Sequence, residues 1–271
     1  MHRSALLALV ACTVASAQWL GYPTAGVPRT GIGKVDLAGP APRAADGRPD
    51  LSGLWMPEGD PSLGDPDPPP RHFLDIFGRL TPKTIPAELQ PSAAPVYVRN
   101  RDNVGRLNPA SNCLPRGVPW ADSTPFPYKV LQMPGLLVIL YEENTTFRQI
   151  FTDGRRPPVD PQPTWLGYST GKWESDGLVV ETTGFNDRSW LDTFGAPHSD
   201  KLRLIEKFRR RDMGHMEIAI SIDDPKTYVK PVVFTLNTRL LPDSELLENF
   251  CENERDVKHM VGSASEREFP K

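Results

Sequence analysis

Glu206 breaks the pattern around it. Leu202, Leu204 and Phe208 mark the dry face of a strand-like run, and Glu206 falls in the same alternation. A carboxylate in an apolar row is costly unless it is paired or hydrogen-bonded. Two chemistries follow: a buried pair with an arginine such as Arg148 or Arg239, or a cavity acid with a raised pKa. Just upstream, Pro197-His198-Ser199-Asp200 places an imidazole near a carboxylate, either as an acid/base or orienting unit or as a loop cap. Asp153-Gly154-Arg155 and Asn186-Asp187-Arg188 supply charged loop residues that read as turns with local ion pairs, or as ligand contacts. Trp165, Tyr168, Trp190 and Phe194 are the aromatic residues placed to wall a ligand site beside them. His215 and Glu217 share a strand face, but that face is wet and two ligands are too few for a metal. The chain has no Gly-rich phosphate loop, no G-x-S-x-G elbow and no H-E-x-x-H, and neither cofactor nor metal is expected.

The elements that must position these residues lie after Phe126. Strands are expected at 128–133 and 136–142, joined by Pro134-Gly135, then at 147–152. A Pro-rich loop runs on through Pro163, followed by 165–173 and 177–183, split by an Asp176-Gly177 turn. Runs 202–210, 215–222 and 232–241 complete the series, with 245–251 as a further candidate and a short C-terminal helix over 252–261. With a first strand at 51–56, this gives eight or nine strands with short connections and no alternating helices. The pattern predicts a mainly β fold, an antiparallel up-and-down barrel, with a sandwich as competitor.

Met216, Ile218, Ile220 and Ile222 form one dry face, as do Val232, Phe234 and Leu236, whereas 136–141 is apolar on both faces. Its outer side needs a cover, expected from the N-terminal arm or the Pro-rich region. The domain plan is a signal peptide over 1–17, an extended arm over 18–50, one barrel domain over 51–262 carrying an irregular insertion at 57–127, and a flexible tail at 263–271. Within the insertion a short helix is expected near 73–77.

The N-terminus has the form of a secretory leader: Met1-His2-Arg3, an apolar run from Ser4 to Val14, and Ala15-Ser16-Ala17. Leu9-Val10-Ala11-Cys12 also fits a lipobox, which would leave Cys12 acylated and tethered to a membrane. Either reading exports the protein to the periplasm or beyond. Cys113 and Cys251 then remain, and an oxidising compartment favours a single disulfide between them. It closes a loop of well over a hundred residues, worth about 4–5 kcal/mol in the chain-entropy account. A net charge of −3 offers no basic field for nucleic acid, and no later segment is apolar enough to span a membrane.

Gly53-Leu54-Trp55 at the head of the first strand resembles the G-x-W signature of lipocalin and avidin barrels. That resemblance implies that Trp55 plugs one barrel end with a late-strand arginine across it, a part Arg239 could take. A wider resemblance rests on Asp46-Gly47-Arg48-Pro49-Asp50-Leu51-Ser52-Gly53-Leu54-Trp55, Cys113-Leu114-Pro115-Arg116-Gly117 and Ile150-Phe151-Thr152-Asp153-Gly154-Arg155, and on the 163–167, 184–188 and 197–200 segments. These are similar to a large group of exported soil-bacterial proteins, abundant in acidobacteria and mostly of unknown function. Members often carry His where Pro157 or Pro158 and Tyr168 stand here, which argues against a multi-histidine metal centre. Three functions are in play: a barrel binding a small, partly apolar molecule in its mouth; an enzyme doing acid/base chemistry (isomerisation, hydration or glycan cleavage) on a small molecule or sugar; or a structural envelope-surface protein.

Overall fold

The computed structural model describes residues 23–24, 26–58, 75–77 and 85–251. The leader, the 252–261 helix and the 263–271 tail expected from the sequence lie outside them. Nine strands form one closed barrel in sequence order: β1 (Gly53–Pro57), β2 (Tyr128–Met133), β3 (Leu136–Tyr141), β4 (Phe147–Phe151), β5 (Tyr168–Trp173), β6 (Leu178–Thr183), β7 (Arg203–Arg210), β8 (His215–Asp223) and β9 (Val232–Leu240). β9 closes on β1 through Trp55↔Leu240.

The barrel is mixed rather than purely up-and-down, and the count explains why. Nine strands in a ring cannot alternate direction all the way round, so one neighbouring pair must run parallel. That pair is β4–β5, with Ile150 opposite Ser169. A parallel pair needs a crossover rather than a tight turn, and the Pro-rich segment between Phe151 and Tyr168 supplies it. The other pairs are antiparallel, and their turns follow the local sequence. Gly135 takes φ +75° in the β2–β3 turn, and Glu174 N–H donates to Gly177 O at 2.8 Å between β5 and β6. The 245–251 run contributes only an isolated Glu143–Asn249 bridge.

Alternation decides the interior. Met216, Ile218, Ile220 and Ile222 of β8, Leu204, Glu206 and Phe208 of β7, and Leu137, Ile139 and Tyr141 of β3 all point inward and are buried. The described residues do not seal the outer side of β3. Leu136, Val138 and Leu140 are half-buried, and neighbouring Leu131, Met133 and Phe147 are exposed. The arm packs elsewhere than expected, on the β7–β8 turn, where Met213 N–H donates to Gly39 O and Gly214 N–H to Leu37 O, each at 2.8 Å.

One end of the barrel is closed by Trp55, which is fully buried and donates its indole N–H to Leu51 O at 3.0 Å. The cation across its ring is Arg210 of β7, 4.8 Å from the ring centroid, and not Arg239. Arg239 sits opposite Met56 in the register, on the other face of the wall from Trp55. Arg210 also donates to the carbonyls of Asp50 (2.8 Å), Ser52 (3.1 Å), Asp212 (3.3 Å) and Met213 (2.5 Å). One guanidinium thus holds the arm, the β1 entry and the β7–β8 turn together. Arg210→Ala is expected to cost about 2–3 kcal/mol, several carbonyl hydrogen bonds and the ring contact going together. Arg239→Ala should cost clearly less in the same urea titration.

The insertion between β1 and β2 lies at the opposite end. It carries α1 (Ala94–Asp102), α2 (Val104–Leu107) and two 3-10 turns, Pro109–Asn112 and Trp120–Ser123. Helix forms here; of the 73–77 run expected to be helical, 73–74 lie outside the described residues and Asp75–Phe77 hold a turn. Pro95 at the start of α1 has a preset φ and no N–H to lose.

Candidate functional site

Near the insertion end, the apolar interior gives way to a polar cluster. Period-2 alternation turns Tyr141, Arg148, Ser169, Thr182 and Glu206 inward from five successive wall positions, β3 to β7, and all are buried. Arg148 sits at the centre. Its Nε donates to Ser169 Oγ (3.0 Å), its Nη2 to Thr182 Oγ1 (2.8 Å) and its Nη1 to Glu206 Oε1 (3.1 Å). Nη2 also pairs with Glu206 Oε2, making the carboxylate contact bidentate. Ser169 and Thr182 hydroxyls are 2.9 Å apart. Glu206 is therefore the buried partner of an arginine, the first of the two chemistries its position allows.

The sixth member comes from outside the wall. The Trp120–Ser123 turn inserts Asp122, fully buried, against this cluster. Tyr141 OH donates to Asp122 Oδ1 at 2.7 Å. Oδ2 has no hydrogen-bond partner among the described residues and lies 3.8 Å from Arg148 Nη1. Two carboxyl groups thus face one guanidinium, four of whose five N–H groups are taken by Glu206, Ser169 and Thr182.

Burial, then the charge of Glu206, push Asp122 up to about 7, against the opposing pull of Arg148. Burial also raises Asp192 to about 7, although Ala196 and Phe194 N–H groups bond it at 2.9 and 3.0 Å. Both acids therefore keep a proton in the folded chain that the unfolded chain releases between about pH 4 and pH 7. Their stabilising contribution is full below the unfolded value and is lost as pH climbs through that window. His198 acts in the opposite sense: burial lowers its pKa, so its contribution is lost as pH falls through the ordinary histidine value. Two acids against one imidazole leave a net fall in stability on going from pH 4 to 7. Asp122→Asn should flatten that fall by on the order of 2–3 kcal/mol, read from urea midpoints across the range.

The inserted turn is held by its flanks. The Arg116 guanidinium lies 4.5 Å from the Trp120 ring centroid and pairs with Glu143, Nε to Oε1 at 2.6 Å. Trp120 stacks on Trp190, planes 7° apart and centroids at 6.4 Å. Upstream, Asn108 Oδ1 accepts from Ala110 N–H at 2.9 Å, and Cys113 is disulfide-bonded to Cys251. A cleft lined by Arg116, Gly117, Ala121, Tyr141, Glu143 and Leu166 has a volume of about 10 Å³, room for a single water.

The other residues singled out from sequence are dispersed. His198 and Asp200 do not pair. His198 Nε2 is 2.8 Å from Ser189 Oγ and its Nδ1 is 3.1 Å from Ser199 O. Asp200 is exposed and binds Lys226 and Lys201. The carboxylate that organises the His198 loop is the buried Asp224, which accepts from Ser199 N–H at 2.6 Å and Ser199 Oγ at 2.8 Å. Asp153 and Arg155 pair with each other at the surface, and Arg155 lies 3.9 Å from the Phe151 ring centroid, with Tyr168 stacked on Phe151. Arg188 covers the Trp165 ring at 5.0 Å, whereas Asp187 is exposed. Trp190 is spent on Trp120, and Phe194 is half-buried in its loop. His215 and Glu217 find separate partners, Asp212 for one and Arg209 with Arg211 for the other. Comparison with family models, curated proteins and solved structures gave no match to this chain.

Proposed function

We propose that this protein is an exported β-barrel that binds a small, partly apolar molecule in the barrel mouth, where the Trp120–Ser123 turn now sits. The observation that carries this reading is the asymmetry of the two ends. At one end the wall's own Trp55 and Arg210 form the floor. At the other, the space is filled by a segment from outside the wall, and the lining there turns polar around Arg148. A cup with a fixed floor and a separately anchored stopper is a fold that can trade the stopper for a ligand. Export is supported by the Cys113–Cys251 disulfide and by the leader-like N-terminus with its family resemblance. No helix among the described residues is long and apolar enough to cross a membrane.

A structural role at the cell envelope is the second reading, favoured by the small room left beside the stopper. Trp120→Ala separates the two. If the mouth is a binding site, this variant should keep the far-UV spectrum of the barrel and hold small aromatic molecules such as indole or naphthalene in native mass spectrometry, with wild type holding them weakly. A folded Trp120→Ala protein that retains none of them would leave only the structural reading.

A further inference from the structure

Asp122 is an awkward guest. A side chain that existed only to complete the fold would be expected to have both oxygens bonded, since an unsatisfied buried acceptor costs about 1–3 kcal/mol. Instead, one oxygen takes the Tyr141 hydroxyl and the other reaches only toward Glu206, a second carboxyl, which it can meet only by holding a proton. The wall around it is well formed without it: Arg148, Glu206, Ser169 and Thr182 satisfy one another. What the wall offers beyond that set is the Tyr141 hydroxyl, the remaining field of the guanidinium, and Glu206 as acceptor for a proton held on the guest. These are the complements of a protonated carboxyl group.

We propose that Asp122 occupies a carboxyl subsite, and that the molecule bound in the mouth is a small carboxylic acid whose acid group replaces that of Asp122 on Tyr141 and Arg148. This rests on the mouth-binding reading above and names the ligand class for it. The apolar body of the acid lies where Trp120 stacks on Trp190, so an aromatic acid fits better than acetate. The groups that face the subsite are Tyr128 of β2, Tyr141 of β3, Arg148 of β4 and Glu206 of β7; Arg148 and Glu206 already cancel. The entering acid therefore carries its own proton, as Asp122 does, and its affinity for the emptied subsite falls as pH rises from the ordinary carboxylic-acid range to neutrality.

Asp122→Ala empties the subsite without adding a group to it, and it cuts the turn's bond to Tyr141, so that the turn can leave and yield the place of Trp120 to the ring. Benzoate should raise the melting temperature of this variant and bind it about tenfold or more tightly than benzamide, a tenfold ratio being about what one extra hydrogen bond supplies. Calorimetry in buffers of different ionisation enthalpy should show close to one proton taken up per benzoate. Asp122→Asn, whose amide fills the space, should show neither effect. If Asp122→Ala does not fold alone, the same comparison is made on refolding yield with benzoate or benzamide present. Equal effects of acid and amide, or no effect of either on melting or on refolding, overturn the carboxyl subsite. Trp120→Ala tells the two proposals apart. If it binds neutral aromatics while Asp122→Ala ignores the acid, the mouth is a binding site without this subsite; if neither variant binds anything, the mouth reading itself fails.

Discussion

Arg148→Met should be among the most damaging single substitutions in the barrel wall, costing about 3–5 kcal/mol. Methionine fills much of the same volume, so the loss is electrostatic rather than a cavity. The substitution leaves Glu206 fully buried with no countercharge, and strips the Ser169 and Thr182 hydroxyls of their shared donor. Asp122 cannot relieve it, being a second acid in the same place. Glu206→Gln should be milder. It leaves a buried guanidinium, but Asp122, 3.8 Å from Arg148 Nη1, can then ionise and take over as partner. The asymmetry has a further consequence: Arg148→Met combined with Glu206→Leu should recover most of what the first change loses, because a buried pair replaced by apolar groups is often neutral. Urea titrations of the two singles and the double give the coupling directly. A double variant no more stable than Arg148→Met alone would mean that the loss comes from packing and not from a stranded charge.

The wall of this barrel was legible because its strands alternate cleanly. In β8 the row of inward residues read from sequence is the row that is buried, and in β9 Val232 is buried with Phe234 and Leu236 partly so, while Arg239 falls on the other face of the wall from Trp55. The G-x-W resemblance pulled Arg239 toward Trp55, while Arg210, two turns of the pleat beyond Glu206 on β7, was in phase with the interior all along. Glu206 stood out because it violated its row, and Arg148 was named as a partner because a charged residue had to answer it. Asp122 and Trp120 carried no such signal. They lie in a segment with no repeat of 2 or 3.6 residues, where direction depends on contacts distant in sequence. The parallel β4–β5 pair was hidden for a related reason, since strand direction around a ring follows from the parity of the strand count. His198 and Asp200 looked paired by proximity in sequence, but Asp224, from the turn after β8, reached the loop first.

Removing the disulfide through Cys113→Ser with Cys251→Ser should cost about 4–5 kcal/mol, since the link closes a loop of 138 residues in the unfolded chain. The loss should appear as a lower urea midpoint with the far-UV spectrum of the barrel retained, because neither cysteine lies in a strand. A second effect follows from where the link sits. Cys113 ends the 3-10 turn just upstream of the stopper, and Cys251 follows the segment whose Leu247 N–H donates to Glu142 and whose Glu245 pairs with Lys129. The bond therefore joins the stopper's stem to chain that is already fastened on β2 and the end of β3. An entropic crosslink alone would lower protection from hydrogen exchange evenly, by way of global unfolding. A link that also anchors the stopper should, when cut, raise exchange over 114–123 more than over β7 and β8. Uneven loss of that kind would tie the mouth's opening to the redox state of this pair, while a uniform loss would confine the disulfide to holding the unfolded chain compact.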